Sequence, residues 1–171
     1  MDRHPGGKGH SRRMIELLNL PLGTCVLDMG AGEGETVALL RAFGYDARGI
    51  DLKPRSKTVE QGDFLCTPYP AASFDGIISQ CAFFVSGDVP RALEEAYRLL
   101  KKGGVLVMSD VWPQDENLEK TAENAGFEVL QSEDMSESWK QYYIQLRWRG
   151  EIERIECGRK FGYKLILCRK Q

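Results

Sequence analysis

Residues 26–34 read Val-Leu-Asp-Met-Gly-Ala-Gly-Glu-Gly. The apolar residues around Asp28 indicate a buried strand, because a central parallel strand is covered on both faces. The glycines predict a tight turn whose N–H groups a ligand could approach, and a helix-favouring run at 35–43 follows directly. A strand, a bare turn and a helix N-terminus at one point are typical of sites for adenosine-containing cofactors.

Strand-like and helix-like segments alternate along the rest of the chain. Strands are predicted at 25–29, 47–52, 59–64, 74–80, 105–109, from 127 onward and at 162–168, and helices at 12–20, 35–43, 88–102, 115–125 and 137–155. This order predicts a doubly wound, Rossmann-like α/β fold in three layers, with a seven-stranded, mostly parallel sheet whose last strand is antiparallel. Ligands of such a fold bind at the carboxyl ends of the strands.

The link between the second and third predicted strands is unusually short. It consists of residues 53–58, including Pro54, whereas a parallel crossover normally takes about a dozen residues with a helix inside. The usual helix is therefore predicted to be missing, which leaves one edge of the sheet thinly covered. Because an open edge invites pairing, a homodimer or a protein partner at the third strand is a hypothesis.

Length, composition and charge limit the number of domains, the kinds of partner and the location that the chain can have. A chain of 171 residues with 42% hydrophobic residues predicts one globular domain over residues 1–171. The net charge of −2 argues against nucleic acid or an anionic membrane as partner. No apolar run approaches the roughly 18 residues of a membrane span, and no apolar signal segment opens the chain, so a cytoplasmic location is expected. Five cysteines without a C-x-x-C pair fit a reducing cytosol and argue against a metal site.

Acidic residues also close the next two predicted strands. Asp51 lies seventeen residues after Gly34, about where an acid binds a ribose diol in nucleotide-binding folds. Asp63 can accept a hydrogen bond from an exocyclic amine, while Phe64 covers a ring. Asp28, beneath the turn, would repel a pyrophosphate but suits an ammonium group. This favours S-adenosylmethionine over a dinucleotide.

At this point the chain resembles the class I methyltransferases that use S-adenosylmethionine, especially small bacterial members of the type 11 group. The resemblance is carried by VLDMGAGEG (26–34), GID (49–51), GDF (62–64), FDGIISQ (74–80) and RALEEAYRLLKKGGVLVMSD (91–110). These segments cover most of residues 24–111 in the order and spacing of that family. The resemblance implies a transferase (EC 2.1.1.-) that moves a methyl group by in-line displacement.

The resemblance also implies a cofactor-binding role for nine residues. They are Asp28, Gly30 and Gly32 at the methionine part, Asp51 at the ribose, Asp63 and Phe64 at the adenine, Gln80 beside the sulfonium, and in addition Gly34 and Leu52.

The methyl acceptor is predicted to be a small molecule, and the attacked atom is left open among oxygen, nitrogen, sulfur, carbon and a metalloid. No N-P-P-Y-type motif follows the fourth strand, where residues 80–83 read Gln-Cys-Ala-Phe, so methylation of base amino groups is not indicated. Selectivity is expected from residues 1–10, predicted to be a mobile arm, and from residues 112–155. Candidate substrate-facing side chains are Cys81, Asp110, Trp112 and Trp139.

Several of these residues also have structural interpretations. Cys81 is favoured as a small core residue, and Asp110 is equally consistent with a cap. Ser11 is predicted to cap the helix at 12–20, and the two histidines, His4 and His10, are favoured as mobile surface side chains rather than bases.

Three alternatives to a small-molecule methyltransferase remain open. The first is a non-catalytic or partner-dependent subunit that binds S-adenosylmethionine. The second is a nicotinamide-dependent oxidoreductase, which Asp28 disfavours and which would want a third glycine where Glu35 stands. The third is an enzyme that methylates RNA or protein through a basic patch. The residues of that patch are Arg147, Arg149, Arg154, Arg159 and Lys160.

Overall fold

The structure is a computed structural model and describes residues 5–151 and 159–171. Its elements, in chain order, are α1 (Gly7–Leu18), β1 (Cys25–Met29), α2 (Glu35–Ala42), β2 (Asp46–Asp51), β3 (Glu60–Gln61), β4 (Phe74–Gln80), α3 (Val89–Leu99), β5 (Leu100–Pro113), α4 (Leu118–Asn124), β6 (Phe127–Asp134), α5 (Ser136–Trp148) and β7 (Phe161–Lys170). A short 3-10 turn, Phe84–Ser86, precedes α3. None of the helices in the described ranges combines the length and the apolar character needed to cross a bilayer.

The strands form one seven-stranded sheet in the order β3-β2-β1-β4-β5-β7-β6. β7 runs antiparallel to both β5 and β6, and the other pairings are parallel. The predicted doubly wound sheet with an antiparallel last strand is therefore confirmed. The strand order reverses between β1 and β4, so the carboxyl ends of these two strands define the expected binding crevice.

Helices cover both faces of the sheet, as three layers require. Alternate residues of each central strand face opposite layers, as Leu27 and Val26 of β1 show. Leu27 belongs to a core that includes Leu93 of α3, whereas Val26 belongs to one that includes Met14 of α1. Both cores consist of buried apolar side chains, with aromatic ones in the core around Leu27, which is why the strands read as nearly continuous apolar runs.

The crossover between β2 and β3 contains no helix, which confirms the predicted shortening. β3 itself is shorter than the predicted 59–64 and consists of two residues. The strand ends early because the Asp63 carboxylate accepts the Leu65 N–H at 2.8 Å and the Asp63 carbonyl accepts the Cys66 N–H at 3.2 Å. This turn carries the chain away from the sheet.

The N-terminal segment differs from its prediction. α1 begins at Gly7 after the left-handed Gly6, so residues 7–10 are helical and the mobile-arm prediction is wrong for them. Residues 1–4, with His4, lie outside the described residues. Ser11 lies inside the helix and is buried, as is His10, so the predicted cap and the predicted surface histidine are both wrong. The polar composition suggested exposure, but these two side chains find buried polar partners in β4 and β5.

Other boundaries moved because of tertiary pairing. β5 is much longer than the predicted 105–109, since antiparallel β7 pairs with it from Val105 to Pro113. The helix predicted at 88–102 ends at Leu99, where β5 begins. α5 ends at Trp148, and part of the predicted range 137–155 lies outside the described residues.

The turn after β1 is held by contacts from two neighbouring segments. The N–H groups of Gly30 and Ala31 both donate to the carbonyl of Ile50 in β2, at 2.9 and 3.1 Å. Gly30 has φ +87°, and a Cβ there would lie 2.2 Å from the Cβ of Ala82, in the loop after β4. Only glycine fits, because both the left-handed backbone and the close approach exclude a side chain.

Gly30→Ala should lower the free energy of unfolding by more than the cost of placing an alanine in a left-handed backbone conformation. The left-handed conformation costs about 1–2 kcal/mol, and the clash with Ala82 adds about 1–3 kcal/mol. Urea denaturation followed by circular dichroism measures the sum.

Gly103→Ala is the matched control, because Gly103 also has a positive φ of +78° but no atom lies within 4 Å of an added Cβ. Adding Ala82→Gly to Gly30→Ala should restore the part due to the clash. Equal losses for Gly30→Ala and Gly103→Ala would contradict the proposed close approach.

Candidate functional site

A cavity of about 660 Å³ opens at the carboxyl ends of β1, β2 and β4. Its lining comes from four segments of the chain, within residues 28–36, 51–55, 63–65 and 80–86. The structure thus brings together residues that lie far apart in the sequence. Of the nine residues predicted to bind the cofactor, Gly34 does not line the cavity, and it instead precedes α2 as its N-cap.

Asp28 lies at the base of the cavity and is 3% exposed. Burial, and second the charge of Asp51, raise the pKa of its carboxyl to about 7. Burial and a neighbouring acid both destabilise the ionised form of this carboxyl, so a bound cation would stabilise that form. The site therefore favours a positively charged group beside Asp28.

Asp51 closes β2 at the rim of the turn. One of its carboxylate oxygens accepts the Gly32 N–H at 2.9 Å, and the other accepts the Lys53 N–H at 2.8 Å. A carboxylate offers about four lone-pair sites, so each oxygen keeps capacity for a hydroxyl of a ligand. The two backbone bonds hold the side chain in place at the cavity wall.

The turn offers little to an anion. The N–H groups of Gly30, Ala31 and Gly32 donate to Ile50 and Asp51, so they are already used within the protein. The sequence predicted that a ligand would approach the N–H groups of this turn. That prediction is wrong for Gly30, Ala31 and Gly32. A phosphate cradle depends on free N–H groups that point at the ligand.

Phe64 and Asp63 form another wall. Phe64 is buried and its ring lies 5.5 Å from that of Phe83, so its position is fixed by the core. Asp63 is exposed and lines the cavity, and its carboxylate also forms the turn after β3 described above. Leu52, also at the cavity, is 56% exposed, an apolar side chain in water at the mouth of the site.

Gln80 connects the cavity to α1. Ser11 Oγ donates to Gln80 Oε1 at 2.9 Å, which fixes the orientation of the amide. Gln80 is 5% exposed, and within the described residues its Nε2 has no hydrogen-bond partner. A buried amide nitrogen without a partner is costly, so the cavity offers a donor to a ligand. Sequence reasoning missed Ser11, although the spacing of Ser11, Ile15 and Leu18 places all three on one helix face.

Cys81 follows β4 and lines the same cavity. It adopts φ +54°, a left-handed conformation that is strained for a residue with a side chain. Its N–H donates to the Ser109 carbonyl at 2.9 Å, and its Sγ lies 3.1 Å from the hydroxyl of Tyr163. Chiefly through burial, the pKa of the thiol is raised to about 12, so Cys81 is neutral at physiological pH.

The other substrate-facing candidates lie outside the cavity lining. Asp110 is buried and accepts the N–H groups of Phe84 and Val111 at 3.1 and 2.8 Å, so it fixes the loop after β4. Burial raises the pKa of Asp110 to about 6, although its backbone hydrogen bonds oppose this. Trp112 packs in the core, because β5 extends past it, which corrects its prediction. Trp139 packs against Tyr143, also on α5, with ring centroids 5.0 Å apart.

No group of three or more histidine, cysteine, aspartate or glutamate side chains within residues 5–151 and 159–171 is arranged to hold a metal ion.

Comparison with known proteins agrees with this geometry. Residues 27–108 match a family model described as a methyltransferase domain. Malonyl-[acyl-carrier protein] O-methyltransferase 1 from Coxiella burnetii is 33% identical over 117 residues, which cover 62% of this chain and 41% of that protein. Sarcosine/dimethylglycine N-methyltransferase from Aphanothece halophytica is 33% identical over 122 residues, which cover 61% of this chain and 44% of that protein.

A solved structure shows the same fold. Phosphoethanolamine N-methyltransferase 2 from Haemonchus contortus, in complex with S-adenosyl-L-methionine, matches with a TM-score of 0.79 at 17% identity, over 98% of this chain and 53% of that chain. The chain spans less than half the length of the two curated relatives above. Residues 27–108 thus match the methyltransferase-domain family, and the chain shares the fold of a solved methyltransferase that binds S-adenosyl-L-methionine.

Proposed function

We propose that this protein transfers a methyl group from S-adenosylmethionine to a small-molecule acceptor. The observation that carries the proposal is Asp28, a buried carboxyl beneath a turn in which the N–H groups of Gly30, Ala31 and Gly32 are already used. Such a site favours an ammonium group, and these three N–H groups are not available to a pyrophosphate. It therefore supports a methionine-bearing cofactor over a dinucleotide, as does Glu35 in place of a third glycine.

The other cavity residues fit the remaining parts of this cofactor. Asp51 has acceptor capacity for the two ribose hydroxyls, and Leu52 beside it supplies apolar contact. Phe64 supplies a fixed ring for the adenine, and Asp63 can accept from its amino group. The Nε2 of Gln80 is a donor for an oxygen of the cofactor or the acceptor.

When bound, the cofactor supplies a methyl group on a positively charged sulfur, which is already a strong electrophile. The protein then contributes mainly by alignment and by excluding water, which in ideal cases contribute about 7–11 kcal/mol. Asp110 supports this alignment, because it fixes the backbone of the loop that carries Cys81 and Val85. A base is needed only for an acceptor that is protonated at working pH.

A small molecule is favoured over RNA as acceptor by the net charge and by the pairing of Arg159, one residue of the basic patch. Arg159 is paired with Asp115 and Glu116, at 2.8 and 2.5 Å, so its charge is largely compensated. Arg154 lies outside the described residues. The net charge of −2 gives no long-range attraction for a polyanion.

A partner-dependent subunit is the second candidate, and the shape of β3 favours it. β3 has two residues, both exposed, and pairs only with β2 among the described strands. Conversion of S-adenosylmethionine to S-adenosylhomocysteine by the isolated chain, on a panel of small hydroxyl, amine, thiol and carboxylate compounds, would exclude a non-catalytic role. No conversion despite tight cofactor binding would favour the partner-dependent subunit.

S-adenosylmethionine affinity should fall as pH falls. Asp28 has a pKa of about 7 without a cation, so its ionised form, which attracts the ammonium group, is lost below that pH. We expect the dissociation constant to rise by about ten-fold per pH unit below about pH 7 and to be lowest just above it, until the ammonium group of the ligand itself loses its proton, which for an α-amino group occurs at about pH 8. Isothermal titration calorimetry at several pH values measures this, and near neutral pH it should detect proton release.

Asp28→Asn should bind more weakly at high pH and show a flat pH profile. Asp46→Asn is the matched control, since Asp46 is an exposed acid at the opposite end of β2. If Asp28→Asn keeps the pH dependence of the unaltered protein, the ammonium assignment is wrong.

Asp51→Asn should weaken S-adenosylmethionine binding by about ten-fold to a hundred-fold, because hydrogen bonds to a charged group contribute about 1.5–3 kcal/mol. Asp46→Asn again serves as control and should bind normally. Unchanged affinity of Asp51→Asn by calorimetry would rule out the ribose assignment. A parallel thermal melt separates lost binding from lost folding.

A further inference from the structure

A chain of hydrogen-bonded side chains leads from the cavity wall into the protein. It begins at Cys81 Sγ, which lies 3.1 Å from the hydroxyl of Tyr163 on β7. That hydroxyl lies 3.0 Å from Ser109 Oγ on β5, and Ser109 Oγ lies 3.0 Å from His10 Nε2 on α1. Three consecutive contacts thus join four parts of the fold. We call these four side chains the Cys81–His10 chain.

Every member of the Cys81–His10 chain can both accept and donate a proton. A thiol, a phenol and an aliphatic hydroxyl each carry one hydrogen and lone pairs, and a neutral imidazole can accept at Nε2 when Nδ1 carries the hydrogen. Ser109 and Tyr163 are fully buried, and His10 is 5% exposed. Water is therefore excluded from the middle of the chain, and a proton that moves along it passes from side chain to side chain.

Backbone hydrogen bonds hold the first two members of the Cys81–His10 chain in place. Cys81 has a strained φ of +54°, and its N–H donates to the carbonyl of Ser109, which is the third member of the Cys81–His10 chain. Tyr163 is fixed by its own N–H, which donates to Ser136 Oγ at 3.0 Å. Strain that persists at a cavity residue indicates a functional constraint on where the side chain lies.

Neighbouring groups favour His10 as the end that receives a proton. Ser109 Oγ also lies 3.2 Å from the sulfur of Met14, but a thioether is a weaker acceptor than an imidazole nitrogen. The pKa of Glu133 is lowered mainly by its hydrogen-bonded partner Arg13 and least by His10, so this paired carboxylate lies within electrostatic range of the imidazole. A negative charge there stabilises an imidazolium.

The acidic and phenolic groups near the other end do not compete for the proton. Besides Tyr163, the titratable groups that interact with Cys81 among the described residues include Asp110 and Tyr143. Asp110 is occupied by backbone N–H groups, as described above. Burial, followed by the effects of Cys81 and Asp110, raises the pKa of Tyr143, so it stays neutral.

We propose that the Cys81–His10 chain is a proton path that removes a proton from the methyl acceptor and delivers it to His10. The inference rests on the proposed methyltransferase function. It assigns to this site an acceptor whose reacting atom carries a proton, such as a hydroxyl, a thiol or an ammonium group. A carboxylate acceptor would have no use for the path, since it is already ionised at neutral pH.

The protons balance along the path. The acceptor's bond to hydrogen breaks as Cys81 Sγ takes that hydrogen, and the thiol's own hydrogen passes to the Tyr163 oxygen. The Tyr163 hydrogen passes to Ser109 Oγ, and the Ser109 hydrogen forms the N–H bond at His10 Nε2. The acceptor atom keeps the electron pair and becomes the nucleophile, while His10 becomes an imidazolium. The raised pKa values of Cys81 and Tyr163 agree with this, because neither group has to remain ionised.

Alkylation of Cys81 by iodoacetamide tests the path without knowledge of the acceptor, because this reaction also requires the thiol proton to leave. The rate at Cys81 is measured by peptide mass spectrometry relative to Cys66, an exposed thiol in the same molecule. Tyr163→Phe and His10→Gln should each lower this ratio by about ten-fold or more at neutral pH, the usual size of general-base assistance at its lower end. The double variant should be no slower than the single ones.

Tyr143→Phe is the matched control, since it removes a phenol near Cys81 that is outside the path. His10→Gln retains a hydrogen-bonding group for Ser109 but cannot take the proton. Tyr163→Phe removes a single oxygen and carries the test if His10→Gln unfolds in a thermal melt. If the hydrogen bonds only support the structure, cutting them would leave the Cys81 thiol equally or more accessible to iodoacetamide. An alkylation ratio that is unchanged or raised in these variants therefore overturns the proposal.

Calorimetry with S-adenosylmethionine on the unaltered protein separates the two proposals. Absence of binding would defeat the proposed function whatever the thiol does. Normal binding together with an unaffected Cys81 ratio would defeat the proton path alone.

Discussion

The close contact between the Gly30 turn and its neighbours is the constraint on which the site depends. The turn rests on Ile50 through two backbone hydrogen bonds and on Ala82 through a contact that no side chain at position 30 would permit. These contacts fix the carboxyl ends of β1, β2 and β4 relative to one another. Every residue that lines the cavity lies at one of these ends or in the segment that follows one of them or follows β3.

The electrostatics of the cavity follow from this packing. Because the turn N–H groups are used by Ile50 and Asp51, they leave the buried Asp28 without a compensating donor from the turn. Burial then raises the pKa of Asp28 towards neutrality. The ionised form of Asp28 is thus destabilised at the point where a cationic group of the cofactor would stabilise it. Selectivity for a cation over an anion is a property of the fold at this point.

α1 connects the N-terminal segment to the chemistry of the cavity. Ser11 orients the Gln80 amide, and His10 contacts Ser109 next to the Cys81 loop. Both contacts join residues about seventy to one hundred positions apart in the chain, and both are buried. A polar helix face against the strand ends is costly unless every polar group finds a partner, so these contacts also fix where α1 lies.

The sequence by itself determined the fold and the donor side of the site. The period of apolar residues, the glycine turn, and acids at strand ends are local signals, and they predicted the sheet, the missing crossover helix and eight residues of the cavity lining. Only the tertiary structure decided the roles of His10, Ser11, Ser109 and Tyr163, and the burial of Trp112. Their partners come from distant segments, and no local pattern encodes which helix face meets which strand end. The physical reason is that a buried hydrogen bond depends on the packing of whole elements, whereas a strand or a turn depends on its own residues.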